Sequence, residues 1–162
     1  MCVDAPEIEG KLAMYQTILV PLDGSKRAEA ILPHVEELAQ RCSATVILLQ
    51  VVEPFSVPIG PEGPNLALDV PMVEQLMNDA RLYLANLEGV FREKRIDAQI
   101  RVIFGPVVAT ILDVAKREGV DLIAMSSHGR TGLSRVFYGS VAAGVLHGVD
   151  RPLLIVRSAG GE

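Results

Sequence analysis

Cysteine is scarce: Cys2 and Cys42 are the only two in 162 residues. Two thiols cannot build a disulfide framework or a structural zinc site, so the chain must fold on an apolar core, and a reducing compartment, the cytoplasm, is the expected location. A basic excess is lacking as well. Fifteen Lys and Arg stand against twenty Asp and Glu, a formal charge of −5, so nothing in the balance grips a phosphate backbone and no nucleic-acid partner is expected. Apolar runs are only strand-length, far short of the roughly 20 residues that a spanning helix needs, so no membrane partner is expected either. The first residues carry Asp4, Glu7 and Glu9 in place of a basic-then-apolar leader. Neither G-x-x-x-x-G-K-[ST] nor G-x-G-x-x-G occurs, which removes two common glycine-rich phosphate cradles. No His/Cys group has metal-ligand spacing, and no nucleophile–base–orienter set can be assembled, so no metal ligand and no catalytic residue is assigned.

What is present is an ordinary globular composition, 49% apolar and 22% charged, in a length that suits one domain with its own core. Residues 1–14 read as a disordered extension and 15–158 as the domain. Thr17–Leu22 is a short β-rich run, broken at Asp23-Gly24-Ser25, with Ser25 as a helix N-cap. Ala28, Ile31, Leu32, Val35, Leu38, Ala39 and Cys42 then recur at helical spacing, with Pro33 expected to kink that helix. Residues 44–52 form a second apolar strand, too continuous to be half-exposed. Residues 53–71 are a long loop rich in Pro and Gly, either a tolerated insertion or a functional segment. A long helix follows over about 72–94, with Val73, Leu76, Met77, Ala80, Leu84, Leu87 and Phe91 as its apolar stripe. Strands at 98–104, 121–126 and 151–156 alternate with helices that start after Pro106 and near Ser140. The order β-α-β-α-β-α-β-α-β predicts an α/β domain, a doubly wound parallel five-stranded sheet in order 3-2-1-4-5 with helices on both faces. Ligands of such a sheet bind beyond the strand C-termini where the winding reverses, between the first and fourth strands. That rule points at Asp23-Gly24-Ser25 and at 126–140.

The segment from Met125 to Ser140 leaves a strand and enters a helix. A helix N-terminus with a glycine turn makes an anion site. Gly129 and Gly132 allow close backbone approach, Arg130 and Arg135 supply positive charge, and Ser140 supplies a hydroxyl. The same residues also suit a plain strand–helix connection with turn glycines and an N-cap serine. Asp23 likewise suits either a ligand contact or a turn. His128 reads as a loop residue, and His34 and His147 as surface residues of helices.

Four blocks resemble the universal stress protein family: 18–25 (ILVPLDGS), 121–132 (DLIAMSSHGRTG), 139–142 (GSVA) and 152–157 (PLLIVR). They stand in the family's order and span about residues 15–158. The resemblance implies the doubly wound fold and, for the nucleotide-binding branch, the pattern G-x2-G-x9-G-[ST]. Gly129, Gly139 and Ser140 fill its last three fixed places, and Ser126 stands where the first glycine belongs. Serine there adds a small side chain that either crowds the ligand or offers it a hydroxyl. The resemblance further implies that Asp23 holds the adenosine part, that Val51 meets adenine through its backbone, and that Pro21 lines the same pocket. Phosphates would lie on Gly129, Arg130, Gly139, Ser140 and Val141. The implied ligand is ATP (or ADP or AMP), with Mg²⁺ held through the phosphates, in a regulatory protein of the stress response with at most slow ATP hydrolysis. A nucleotide-free dimerising protein is the alternative. The last strand, 152–156, is apolar and uncharged before Arg157; as the sheet's edge it invites pairing with its own copy, a homodimer that the family also implies.

Overall fold

The computed structural model describes residues 14–53, 70–127 and 139–157. They run β1 (Thr17–Leu22), a 3-10 turn (Ala28–Ile31), α1 (Leu32–Cys42), β2 (Thr45–Val52), α2 (Val70–Glu93), β3 (Ala98–Phe104), α3 (Val107–Arg117), β4 (Leu122–Ser126), α4 (Ser140–Gly148) and β5 (Leu153–Val156). The strands pair in parallel in the order β3-β2-β1-β4-β5. This is the doubly wound sheet that the alternation of elements predicts. The expected N-terminal extension falls almost wholly, and the Pro/Gly-rich loop largely, outside the described residues.

Both sheet faces are covered, which explains the continuous apolar strands. Successive side chains of a strand point to opposite faces. Ile18, Val20, Leu22, Val46 and Leu48 therefore pack with Val35 of α1 and with Leu84 and Phe91 of α2. Leu19, Ile47, Leu49, Ile123 and Met125 pack with Ile111 and Val114 of α3 and Val145 of α4. Phe91 and Leu84 are fully buried; truncating either to alanine would cost about 2–5 kcal/mol.

The prolines depart from expectation. Pro33 does not kink a helix. The chain makes the 3-10 turn first, and α1 starts at Leu32, so Pro33 lies in its first turn. Backbone N–H groups there have no intrahelical acceptor, so the ring removes no bond. Pro71 behaves alike: α2 begins at Val70, and Pro71 belongs to its first turn rather than to the preceding loop. Gly119 follows α3 with φ of +61°, the left-handed stop that glycine adopts without strain.

Two polar contacts tie the entrances of strands to their neighbours. Asp121 Oδ2 accepts the backbone N–H groups of Gln16 (2.8 Å) and Thr17 (2.9 Å), fixing the start of β1 beside β4. Arg151 Nη1 donates to the carbonyls of Ala115 (2.6 Å) and Val120 (2.9 Å), closing the C-terminal end of α3 just before β5.

α3 and α4 approach closely at Gly144, where a Cβ would lie 2.7 Å from Cγ2 of Val108. Valine is stiff about χ1 and cannot swing clear. Gly144→Ala gains up to about 1 kcal/mol in helix propensity but overpacks at a cost of about 1–3 kcal/mol. Urea unfolding should therefore show a net loss of stability, and adding Val108→Ala should give a double variant more stable than the two single losses predict. Asp121→Ala should cost about 1–3 kcal/mol in the same measurement, because two backbone N–H groups lose a charged acceptor.

Candidate functional site

The site begins with an incomplete pairing. β1 and β4 are paired only at Ile18–Leu122 and Leu19–Ile123. Beyond those pairs β1 continues to Leu22 and β4 to Ser126. The two central strands thus part before they end, at the point where the winding reverses, and a crevice opens over their C-termini. It is a cleft of about 580 Å³, within the 300–1,000 Å³ usual for small-molecule sites.

Seven of the residues singled out in the sequence line this cleft: Pro21, Asp23, Val51, Ser126, Gly139, Ser140 and Val141. The other two, Gly129 and Arg130, lie outside the described residues, as do Gly132, Arg135 and His128. His34 and His147 are exposed on α1 and α4 and do not line the cleft.

Asp23 makes the expected turn and also lines the cleft. Its Oδ1 accepts the N–H of Ser25 at 2.9 Å, and Ser25 Oγ in turn accepts the N–H of Ala28 at 3.1 Å. Gly24 between them has φ of +79°, a conformation that other residues rarely tolerate. The carboxylate therefore stitches a tight turn while standing on the cleft wall. Val51 lies one residue past Gln50, the last β2 partner of β1, and so meets the crevice rather than another strand of that register.

The opposite wall is the start of α4. Ser127 N–H donates to the Val156 carbonyl at 2.8 Å, Gly139 N–H donates to the Ser127 carbonyl at 2.8 Å, and Ala143 N–H donates to the Gly139 carbonyl at 2.9 Å. This relay from β5 through β4 into α4 fixes where the helix begins. The N–H groups of its first turn, at Ser140, Val141 and Ala142, find no acceptor within the helix. They carry the positive end of the helix dipole, and all three residues line the cleft. Such a turn receives an anion. Gly139 itself has φ −58° and ψ 157°, which any residue can adopt; what glycine provides there is the absence of a side chain.

Several lining residues were not singled out in the sequence. Ser127 is buried beside Ser126; its signal was its place within the same motif. Gln50 breaks an apolar strand, a signal visible in the sequence. Leu76, Asp79, Ala80 and Tyr83 line the cleft from α2, and their helical spacing is shared with any core stripe, so no sequence signal separates them. Among the described residues the lining holds three carboxylates, Asp23, Glu53 and Asp79, and no Lys, Arg or His. Also among the described residues, no group of three or more His, Cys, Asp or Glu could hold a metal ion, and no helix is long and apolar enough to cross a membrane.

Comparison with known proteins agrees with this architecture. The model of the universal stress protein family matches residues 14–157. The universal stress protein MJ0577 of Methanocaldococcus jannaschii is 30% identical over 155 residues, covering 89% of this chain and 96% of its own. The solved structure of MJ0577 superposes with a TM-score of 0.78 over 91% of this chain and 99% of the other, at 26% identity. A universal stress protein in complex with cAMP (TM-score 0.62, 20% identity, 90% of this chain and 98% of the other) shares the fold. So does one from Archaeoglobus fulgidus in complex with dAMP (TM-score 0.60, 16% identity, 88% and 98%). The match of a family model to nearly all of the domain, on a sheet of the same strand order, makes the chain a member of the universal stress protein family.

Proposed function

We propose that the cleft binds an adenine nucleotide, ATP foremost, and that the protein is a regulatory nucleotide-binding dimer of the stress response. The observation that carries this reading is the first turn of α4, opening at Gly139-Ser140 onto the crevice between β1 and β4. Phosphates would sit on the N–H groups of Ser140 and Val141, with Gly129 and Arg130 of the preceding segment completing the cradle. The sugar and base would extend toward Asp23, Pro21 and the backbone of Val51. Asp23 suits a ribose hydroxyl, since a carboxylate beside bare phosphate repels it. A divalent cation would enter with the phosphates rather than on a protein cluster. Two members of the same fold bind cAMP and dAMP, which supports an adenine nucleotide as the ligand class. No residue is assigned a catalytic role, so any hydrolysis would be slow, and the chemistry is consistent with a cytoplasmic protein.

The dimer reading rests on β5. It is an edge strand, half-buried and free of charge over Leu153–Val156. Its Pro152 and Val156 carbonyls accept from Ile123 and Ser127 of the β4 side, so by alternation the backbone groups of Leu153 and Ile155 face outward. Pairing of two such edges about a two-fold axis extends the sheet.

Four experiments test these proposals. Mass spectrometry of small molecules released on denaturing the purified protein should find ATP or ADP near one per chain. If none is released, calorimetric titration with Mg-ATP decides: no binding would leave the nucleotide-free dimer as the function, with Ser126 as the residue to revert to glycine. Gly139→Val should weaken ATP by more than about tenfold, or 1.4 kcal/mol, with an unchanged circular dichroism spectrum; undiminished affinity would show that the cradle is wrongly placed. Asp23→Ala should weaken adenosine and ATP alike, whereas a loss confined to Mg-ATP would put Asp23 at the cation. Ile155→Pro removes an outward N–H while sparing the bonds to β4, so light scattering should change from two chains per particle to one.

A further inference from the structure

α4 is nine residues long and contains two glycines, Gly144 and Gly148. Glycine inside a helix weakens it relative to alanine, so each needs a reason. Both lie against α3. A Cβ on Gly144 would stand 2.7 Å from Cγ2 and 3.2 Å from Cγ1 of Val108, and one on Gly148 would stand 2.5 Å from Cδ1 of Leu112. The two obstacles differ. Leu112 offers the tip of a flexible side chain, whereas both branches of Val108 turn on one stiff torsion. The partners are spaced i and i+4 on each helix and in the same order, so α3 and α4 run parallel along one line of contact. Val108 is the second residue of α3 and Gly144 the fifth of α4. Residues 140–142 therefore project past the start of α3, and these are the residues of α4 that line the cleft.

A short helix is a rod, and two points aim it. One is Gly139, whose N–H is bound to the Ser127 carbonyl at 2.8 Å, so that α4 starts at a fixed place on the strand ends. The other is Gly144, where α4 rests against the stiff Val108. We propose that Gly144 is a positioning residue of the anion site: its missing side chain lets α4 lie at the angle that directs the N–H groups of Ser140 and Val141 into the cleft. This role rests on the nucleotide reading above and goes further in naming what controls the phosphate share of the affinity. A methyl group at 144 meets Val108 and levers α4 away from α3 about Gly139. Hydrogen bonds weaken with misaligned angle, so the donors lose the phosphates, while Pro21, Asp23 and Val51, which α4 does not carry, keep the sugar and base.

The test compares the full-length native chain, Gly144→Ala, and Gly144→Ala combined with Val108→Ala. Calorimetry measures Mg-ATP and adenosine, and residual dipolar couplings of the ¹⁵N-labelled proteins without ligand report the direction of α4. Gly144→Ala should weaken Mg-ATP several-fold and leave adenosine unchanged. The couplings of Val141, Ala142 and Val145 should change together relative to those of β1 and β4, because α4 turns as a body. Removing the Val108 branches should return both the Mg-ATP affinity and the couplings to native values, since the new methyl then has room. A merely structural glycine would lower stability and leave both affinities as they were, or weaken both equally as the cleft loosens. The proposal is overturned if Gly144→Ala keeps full affinity for Mg-ATP, if adenosine weakens by the same factor, if the couplings of α4 stay native, or if the double variant does not recover. A native chain that binds no ATP would remove the nucleotide reading and this role together, whereas a native chain that binds ATP no better than Gly144→Ala removes this role alone.

Discussion

The structure depends on how far β1 and β4 stay paired. They are the centre of the sheet, and their hydrogen-bonded register covers only the first part of each strand. On the other side of β1 the pairing with β2 runs the whole length from Thr17 to Leu22. The asymmetry has a topological origin. β2 and β1 are joined by a right-handed crossover on one face, while the connection from β3 to β4 returns on the other, so the two halves of the sheet diverge with nothing to fill the gap. Much of the cleft's lining is set by that divergence: the turn at Asp23, the ends of β2 and β4, and the start of α4.

The divergence is held open by inexpensive local chemistry. Asp23, Gly24 and Ser25 form a closed turn through two side-chain acceptors, so β1 ends sharply. The relay Val156–Ser127–Gly139 anchors α4 to the strand ends by backbone bonds. The same arrangement aims a helix dipole into a cleft whose charged side chains, among the described residues, are all carboxylates. The cleft is therefore electrically polarised, with a donor end at α4 and acceptor ends at Asp23 and at the α2 side.

Much of this was legible in the chain. The alternation of apolar runs and helical stripes determines the fold class, and Gly139-Ser140 marks the start of a helix whose first turn lines the cleft. The helical period predicts the buried stripe of α2 at Ala80, Leu84 and Phe91. Pro33 misled because a proline inside a periodic stripe looks like a kink; only the backbone shows a 3-10 turn before it, which places it at a helix start. Asp23 was ambiguous for a different reason. Turn formation and ligand contact ask for the same side chain, and here one carboxylate stands where both can be met.

The sequence by itself determined the covered parallel sheet, its strand order and the residues at the winding reversal, because hydrophobic periodicity and the handedness of crossovers leave few other arrangements. What only the tertiary structure decided is which residues from distant segments share one cavity. Leu76 and Asp79 of α2 meet Gln50 of β2 across the α2 side of the cleft. Gln50 is left with an unpaired oxygen because its environment is set by the packing of a helix more than twenty-five positions along the chain. A period of 3.6 along a helix records which face is turned inward, but not whether that face meets a core or an opening.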